Sequence, residues 1–137
     1  TYLEFNYMDK SILLTKIGAK NYTHEQLLGW VNSLPGVSKR ITPTEFKLGD
    51  VCMHGAFMHP YVLLERTDTG WICGLLTSEE TCTEILEPCK SRFFNGNYFT
   101  KVLFTQTDPQ GPYMASFDNP AQLTSVRRKL KKILTNI

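Results

Sequence analysis

The feature that most constrains this chain is a pair of apolar runs, PYVLLE (60–65) and WICGLLTS (71–78), joined by RTDTG. Each run has strand length and is too short for an ordinary helix. Asp68 and Gly70 between them supply turn chemistry. The pair predicts an antiparallel hairpin, half-buried, in which Gly74 marks a bulge or a close backbone approach. If 60–65 pairs with 71–76, His59 and Thr77 end up on adjacent strands at the open end of the hairpin.

The surrounding segments carry the same strand period. EFKLGDVCMHG reads as a loop and first strand, entered through Gly49-Asp50, and TEILEPCKSRFF as a short strand and connector. NGN (95–97) is a turn signal, YFTKVLFTQ a strand, and PYMASF a last short strand. The period then becomes helical in DNPAQLTSVRRKLKKILTNI. Leu123, Val126, Leu130, Ile133, Leu134 and Ile137 share one face there. Asp118 or Asn119 is placed to cap that helix, with Pro120 at its first position. Upstream, THEQLLGWVNSLPG predicts another helix, with Thr23 and Gln26 spaced as a capping box and Pro35-Gly36 as its stop.

The expected fold is therefore α+β and mainly β: a small antiparallel barrel, which would remove exposed strand edges, with an N-terminal and a C-terminal helix. The length of 137 residues suits one core. Residues 44–137 form the expected barrel domain with its C-terminal helix, and 1–43 a helical extension packed on it.

The composition narrows the function classes. No apolar run approaches the roughly 18–20 residues of a membrane span, and no basic start followed by a long apolar run marks a signal peptide. The expectation is a soluble, cytoplasmic protein with no membrane contact. The four cysteines (52, 73, 82, 89) contain no C-x-x-C pair, and Cys52 and Cys73 lie in apolar runs. Reduced thiols are expected, and with three scattered histidines no metal site and no cofactor. The net charge of +2 is uneven: residues 1–40 carry +2, 41–106 carry −3 and 107–137 carry +3. Basic ends around an acidic middle are compatible with nucleic acid but do not establish it.

Several side chains are candidates for chemistry. His59 is a proton-transfer group, and Thr77 and Ser78 offer hydroxyls and backbone N–H groups for a phosphate oxygen. His54, in a His-Gly loop, lies near the same sheet end, and His24 sits in a helix's first turn. Arg128, Lys131 and Lys132, with Arg127 and Lys129, form a basic helical set able to grip phosphates. Phe93, Phe94, Tyr98 and Phe99, beside Arg92, mix aromatics with polar groups as base-stacking surfaces do. Each has a plainer reading. A histidine before a strand-opening proline is loop chemistry, Thr-Ser at a strand end is turn chemistry, and a basic last turn suits the helix dipole. By pattern alone these plainer readings come first.

An ordered series of short motifs across residues 44–137 adds to this. KLGDVC, HPYVLLE, WICGLLTS, SRFFNGNYFTKVLFT and YMASFDNPAQLTSVRRKLKKIL resemble, in order, the strands and closing helix of the PemK/MazF-like and ToxN-like endoribonuclease toxins. The resemblance implies an SH3-like barrel and metal-independent cleavage of single-stranded RNA in a toxin–antitoxin setting. Partners on that reading are RNA, an antitoxin (protein or RNA) and a second copy in a homodimer. The family's Thr at the strand end falls on Thr77, while its Arg before Pro is His59 in this chain. His59 then either transfers protons in attack by a ribose 2′-OH or marks an inactive relative. Arg66, Lys90 and Arg92 would supply cations for the transition state, with His54, Arg128, Lys131 and Lys132 binding RNA. The family's loop between the first two strands is shortened to MHGAFM, and residues 1–43 have no counterpart in the minimal domain. The alternative is a non-catalytic SH3-like binding module, a regulator or phage-type inhibitor contacting nucleic acid or a protein.

Overall fold

The computed structural model describes residues 23, 25, 26, 28, 29, 45–53, 59–109 and 112–135. Among the described residues from 45 onward, six strands lead into a helix: β1 (Asp50–Met53), β2 (Pro60–Thr67), β3 (Gly70–Thr77), β4 (Ile85–Pro88), β5 (Tyr98–Gln106), β6 (Tyr113–Ser116) and α1 (Pro120–Thr135). The strands form one antiparallel sheet in the order β4-β5-β3-β2-β1-β6. The sheet is open: β4 and β6 are its edges, and no ladder joins them as barrel closure would require. Most of the predicted N-terminal helix lies outside the described residues. Its capping box is present, however: Thr23 N–H donates to Gln26 Oε1 (2.9 Å) and Gln26 N–H to Thr23 Oγ1 (3.2 Å).

The central hairpin is tighter and more deeply buried than its sequence suggests. Thr67 pairs with Gly70, leaving only Asp68 and Thr69 in the turn. A Cβ on Gly70 would lie 2.1 Å from the Gln106 carbonyl oxygen, so only glycine fits between this turn and the end of β5. All eight residues of β3 are buried, so the expected half-buried hairpin is covered on both faces. A continuous apolar run suits such a central position better than an alternating one.

One face packs Val51, Met53, Val62, Leu64, Leu76, Phe99 and Ala115 against Leu123, Val126 and Leu130 of α1. The other face buries Cys52, Tyr61, Leu63, Trp71, Cys73, Leu75, Val102 and Phe104, with Phe46, Cys82 and Tyr113 packed against them. The register shift between Gly74 and Leu76 against β5 is held by Thr100. Its hydroxyl donates to the Leu75 carbonyl (2.6 Å) and accepts the Val102 N–H (3.1 Å).

The two sheet edges approach each other through the start of α1. Asn119 is the cap: its Oδ1 accepts the Gln122 N–H (3.1 Å) and its Nδ2 donates to the Lys90 carbonyl (2.9 Å). Buried Gln122 accepts the Lys90 N–H (2.7 Å) and donates to the Pro88 carbonyl (2.8 Å) and to Glu87 (2.8 Å). Ser91 donates to Asp118, and Phe94 stacks on Phe117. The segment following β4 is thus tied to the segment following β6, and the sheet curls around the apolar face of α1.

Candidate nucleic-acid interface

The registers bring His59 and Thr77 to one level of the sheet. Tyr61 pairs with Leu75, Val62 with Gly74 and Leu63 with Cys73. Continued by two residues, that register sets His59 opposite Thr77. A bulge between Leu63 and Glu65 decides this, because nearer the turn the register is shifted by one. Without the bulge, His59 would face Ser78. Thr77 in turn pairs with Tyr98 on β5, and Tyr98 with Pro88 on β4. A row of His59, Thr77, Tyr98 and Pro88 therefore crosses the sheet beside the β4–β5 loop.

Burial limits what this row can do unaided. His59 is 8% exposed and Thr77 0%. The Thr77 hydroxyl accepts the Glu79 N–H at 3.1 Å, which closes the strand end as a local turn. Ser78 is exposed. His54 and His24 lie outside the described residues.

The candidate cations fall into three separate places. Arg66 lies opposite Trp71 at the turn end of β2, seven residues and therefore roughly 20 Å of extended strand from His59. Lys90 and Arg92 follow β4, on the loop that starts from the Thr77 row. On α1 the positive charge is largely consumed within the fold. Buried Glu65 accepts from Arg127 (3.1 Å) and faces the Lys131 ammonium at 3.2 Å. Glu87 meets Lys129 at 2.5 Å. Burial alone would raise the Glu87 pKa, but hydrogen bonds from Gln122 and Lys129 and the charges of Lys129 and Lys90 outweigh it and hold the carboxyl below its usual 4.5. Arg128 and Lys132 remain exposed. The basic stripe of the sequence is in large part the counter-charge of two strand glutamates, and Glu65, a lone carboxylate ending PYVLLE, was the available signal.

The β4–β5 loop presents its groups differently. Phe94 is 2% exposed and lies flat against Phe117, with ring centroids 6.0 Å apart and planes 10° apart. Gly96 takes a φ of 90°, and Asn97 N–H bonds the Phe94 carbonyl (3.0 Å) to close the loop. Anchored this way, the loop holds Phe93 outward at 41% exposure, with the Arg92 guanidinium 4.9 Å from its ring centroid. The Arg92 side chain is 78% exposed and only 3.9 Å from Asp118, whose carboxyl is held below its usual value chiefly by the Ser91 hydrogen bond. The FF pair is thus one anchor and one exposed ring. Hydrophobicity alone could not tell them apart, because both are phenylalanine beside a turn.

Among the described residues no group of three or more His, Cys, Asp or Glu side chains is arranged to hold a metal ion, and no helix is long and apolar enough to cross a membrane. No protein-family model, characterised protein or solved structure matches the chain.

Proposed function

We propose that this chain is an SH3-like binding module that holds single-stranded RNA, without cofactor, at the β4–β5 loop in the cytoplasm. The observation that carries the proposal is the exposed Arg92–Phe93 pair on a loop whose next residue is locked into the core. An aromatic face offers stacking to any base, and an adjacent guanidinium offers charge to the backbone and a second flat surface. Lys90, held at its backbone by Gln122 and Asn119, adds a cation on the same loop. Binding should weaken with salt, because each phosphate contact releases counterions.

Fluorescence anisotropy with a labelled single-stranded RNA in EDTA tests the module. Wild type should bind, and Arg92→Gln with Phe93→Ala should lower affinity by at least about tenfold, since a stacked base contributes on the order of 1–3 kcal/mol. Unchanged affinity in that double variant would sink the proposal.

The second reading, a PemK/MazF-like endoribonuclease, is supported by the register that sets His59 opposite Thr77. On it, His59 moves protons, Thr77 and Ser78 hold the phosphate, and an antitoxin and a homodimer are the expected partners. It requires opening of the buried Thr77. The same RNA samples, resolved on a denaturing gel, separate the readings. Intact RNA in EDTA favours the module, whereas cleavage that disappears in His59→Ala and Thr77→Val favours the nuclease. Thr77→Val is a mild change because the Glu79 N–H it abandons belongs to an exposed residue that water can serve.

A further inference from the structure

A cleft of about 520 Å³ opens at the turn end of the β2–β3 hairpin, within the size range of small-ligand sites. Its lining includes Glu45, Lys47, Leu48, Arg66, Trp71 and Asp108. It stands apart from the β4–β5 loop, and the case for it does not depend on RNA binding there.

Trp71 is rooted in the core at 5% exposure, and Arg66, its cross-strand partner, lies on the surface above it with the guanidinium carbon 5.0 Å from the ring centroid. Stacking on a fixed ring narrows the positions open to the guanidinium while leaving its N–H edge available. That edge matches the oxygens of a phosphate or carboxylate. Lys47 brings a second positive charge to the same cleft. Among the described residues, neither Arg66 nor Lys47 has a carboxylate ion-pair partner. Elsewhere in the fold, Arg127, Lys129 and Lys131 do have such partners. The cleft is not uniformly positive, because the Glu45 and Asp108 carboxylates also line it, as does the half-exposed side chain of Leu48. A simple anion satisfies only the cationic part. A ligand that carries an oxyanion together with hydroxyl or amino donors matches both kinds of lining group.

We infer that this cleft binds a nucleotide through its phosphate monoester, with Arg66 and Lys47 holding the phosphate and Glu45 and Asp108 accepting from ribose or base donors. The source is either a free mononucleotide or the 5′-phosphorylated end of a nucleic acid strand.

Calorimetric titration of the full chain tests this with GMP, AMP, guanosine, inorganic phosphate, and one oligoribonucleotide bearing either a 5′-phosphate or a 5′-hydroxyl. With the two strands titrated into the Arg92→Gln/Phe93→Ala double variant, so that the β4–β5 loop does not contribute, saturable binding of a nucleoside monophosphate or of the 5′-phosphorylated strand is expected, with guanosine, inorganic phosphate and the 5′-hydroxyl strand each at least about tenfold weaker. Arg66→Gln, an exposed position, should melt like wild type and lose at least about tenfold in affinity, while Arg92→Gln should bind the monoester normally. Binding by the mononucleotide or by the strand identifies the source, and either supports the inference. Absence of saturable binding by every monoester overturns it. So does inorganic phosphate binding as tightly as the nucleotides, or affinity unchanged in Arg66→Gln. Loss of RNA binding in the Arg92/Phe93 variants leaves these results untouched, so the two sites can fail separately.

Discussion

Two adjacent phenylalanines on the β4–β5 loop should respond in opposite ways to the same substitution. Phe94→Ala removes a ring that is 2% exposed and stacked on Phe117, which itself leans on Phe99 with centroids 5.2 Å apart. Deleting a buried phenylalanine costs about 3–5 kcal/mol, of which the lost ring pairing accounts for roughly 0.5–1.5. For a chain of this length about 1 kcal/mol corresponds to roughly 4 °C, so melting should fall by about 12–20 °C. Phe93→Ala, at a 41% exposed position, should stay within about 0.5 kcal/mol of wild type. It should instead weaken single-stranded RNA binding by at least about fivefold, since a stacked base contributes on the order of 1–3 kcal/mol. Thermal and urea denaturation followed by circular dichroism, with anisotropy on the same preparations, measures both effects. The reasoning is refuted if Phe93→Ala is the more destabilised variant, or if Phe94→Ala melts within about 2 °C of wild type.

Three further outcomes follow from the charges and thiols. Glu65→Leu should destabilise by about 1–3 kcal/mol by stripping the shared counter-charge from Arg127 and Lys131, a moderate figure because both cations are partly solvated. Adding Arg127→Leu should recover part of that loss, and a double-mutant cycle with no coupling would contradict the pairing. Glu87 has a folded pKa below its usual 4.5, so its contribution is present above that value and is lost as pH falls through the lowered one. Melting temperatures between about pH 6 and pH 3 should therefore fall less steeply in Glu87→Gln, and an unchanged acid slope would count against the Gln122–Lys129 clamp. Burial pushes the Cys52 and Cys89 thiols up to about 12, and Cys73 is buried as well. An aromatic disulfide reagent near neutral pH should find one fast thiol, Cys82, and Cys82→Ser should abolish that phase.

Local chemistry made much of the fold legible. The strand runs, the NGN turn and the Asn119-Pro120 helix start are decided by residues within a few positions of one another. The structure follows those signals, down to the Asn119 cap and the two Thr23–Gln26 bonds. What sequence left open is set by partners far along the chain. Arg127 meets a glutamate 62 residues away and Lys129 one 42 residues away, so a stripe that looks like a phosphate grip becomes part of the helix's attachment to the sheet. The closed barrel expected from six short strands is likewise a matter of long-range geometry. The edges are brought together by Gln122, Ser91 and the Phe94–Phe117 stack instead of by a ladder.

The candidate site shows the same division, with a sharper consequence. The assumed pairing of 60–65 with 71–76 places His59 opposite Thr77, and the structure keeps that register at the open end even though its turn is two residues long. The reason is the bulge at Leu64, which offsets the tighter turn by one residue. Sequence could supply the juxtaposition but not the burial, because burial depends on what packs over the second face of the sheet. Thr77 has no exposed surface and its oxygen already serves the Glu79 N–H, whereas one strand over the Arg92 side chain is 78% exposed and Phe93 41% exposed. A hydroxyl that must be uncovered before it can touch a phosphate adds an opening step to any cleavage by this row. The partly exposed Arg92–Phe93 pair is reachable without uncovering a fully buried group, and that difference is the argument for the proposed holding of RNA at the loop over cutting at the row.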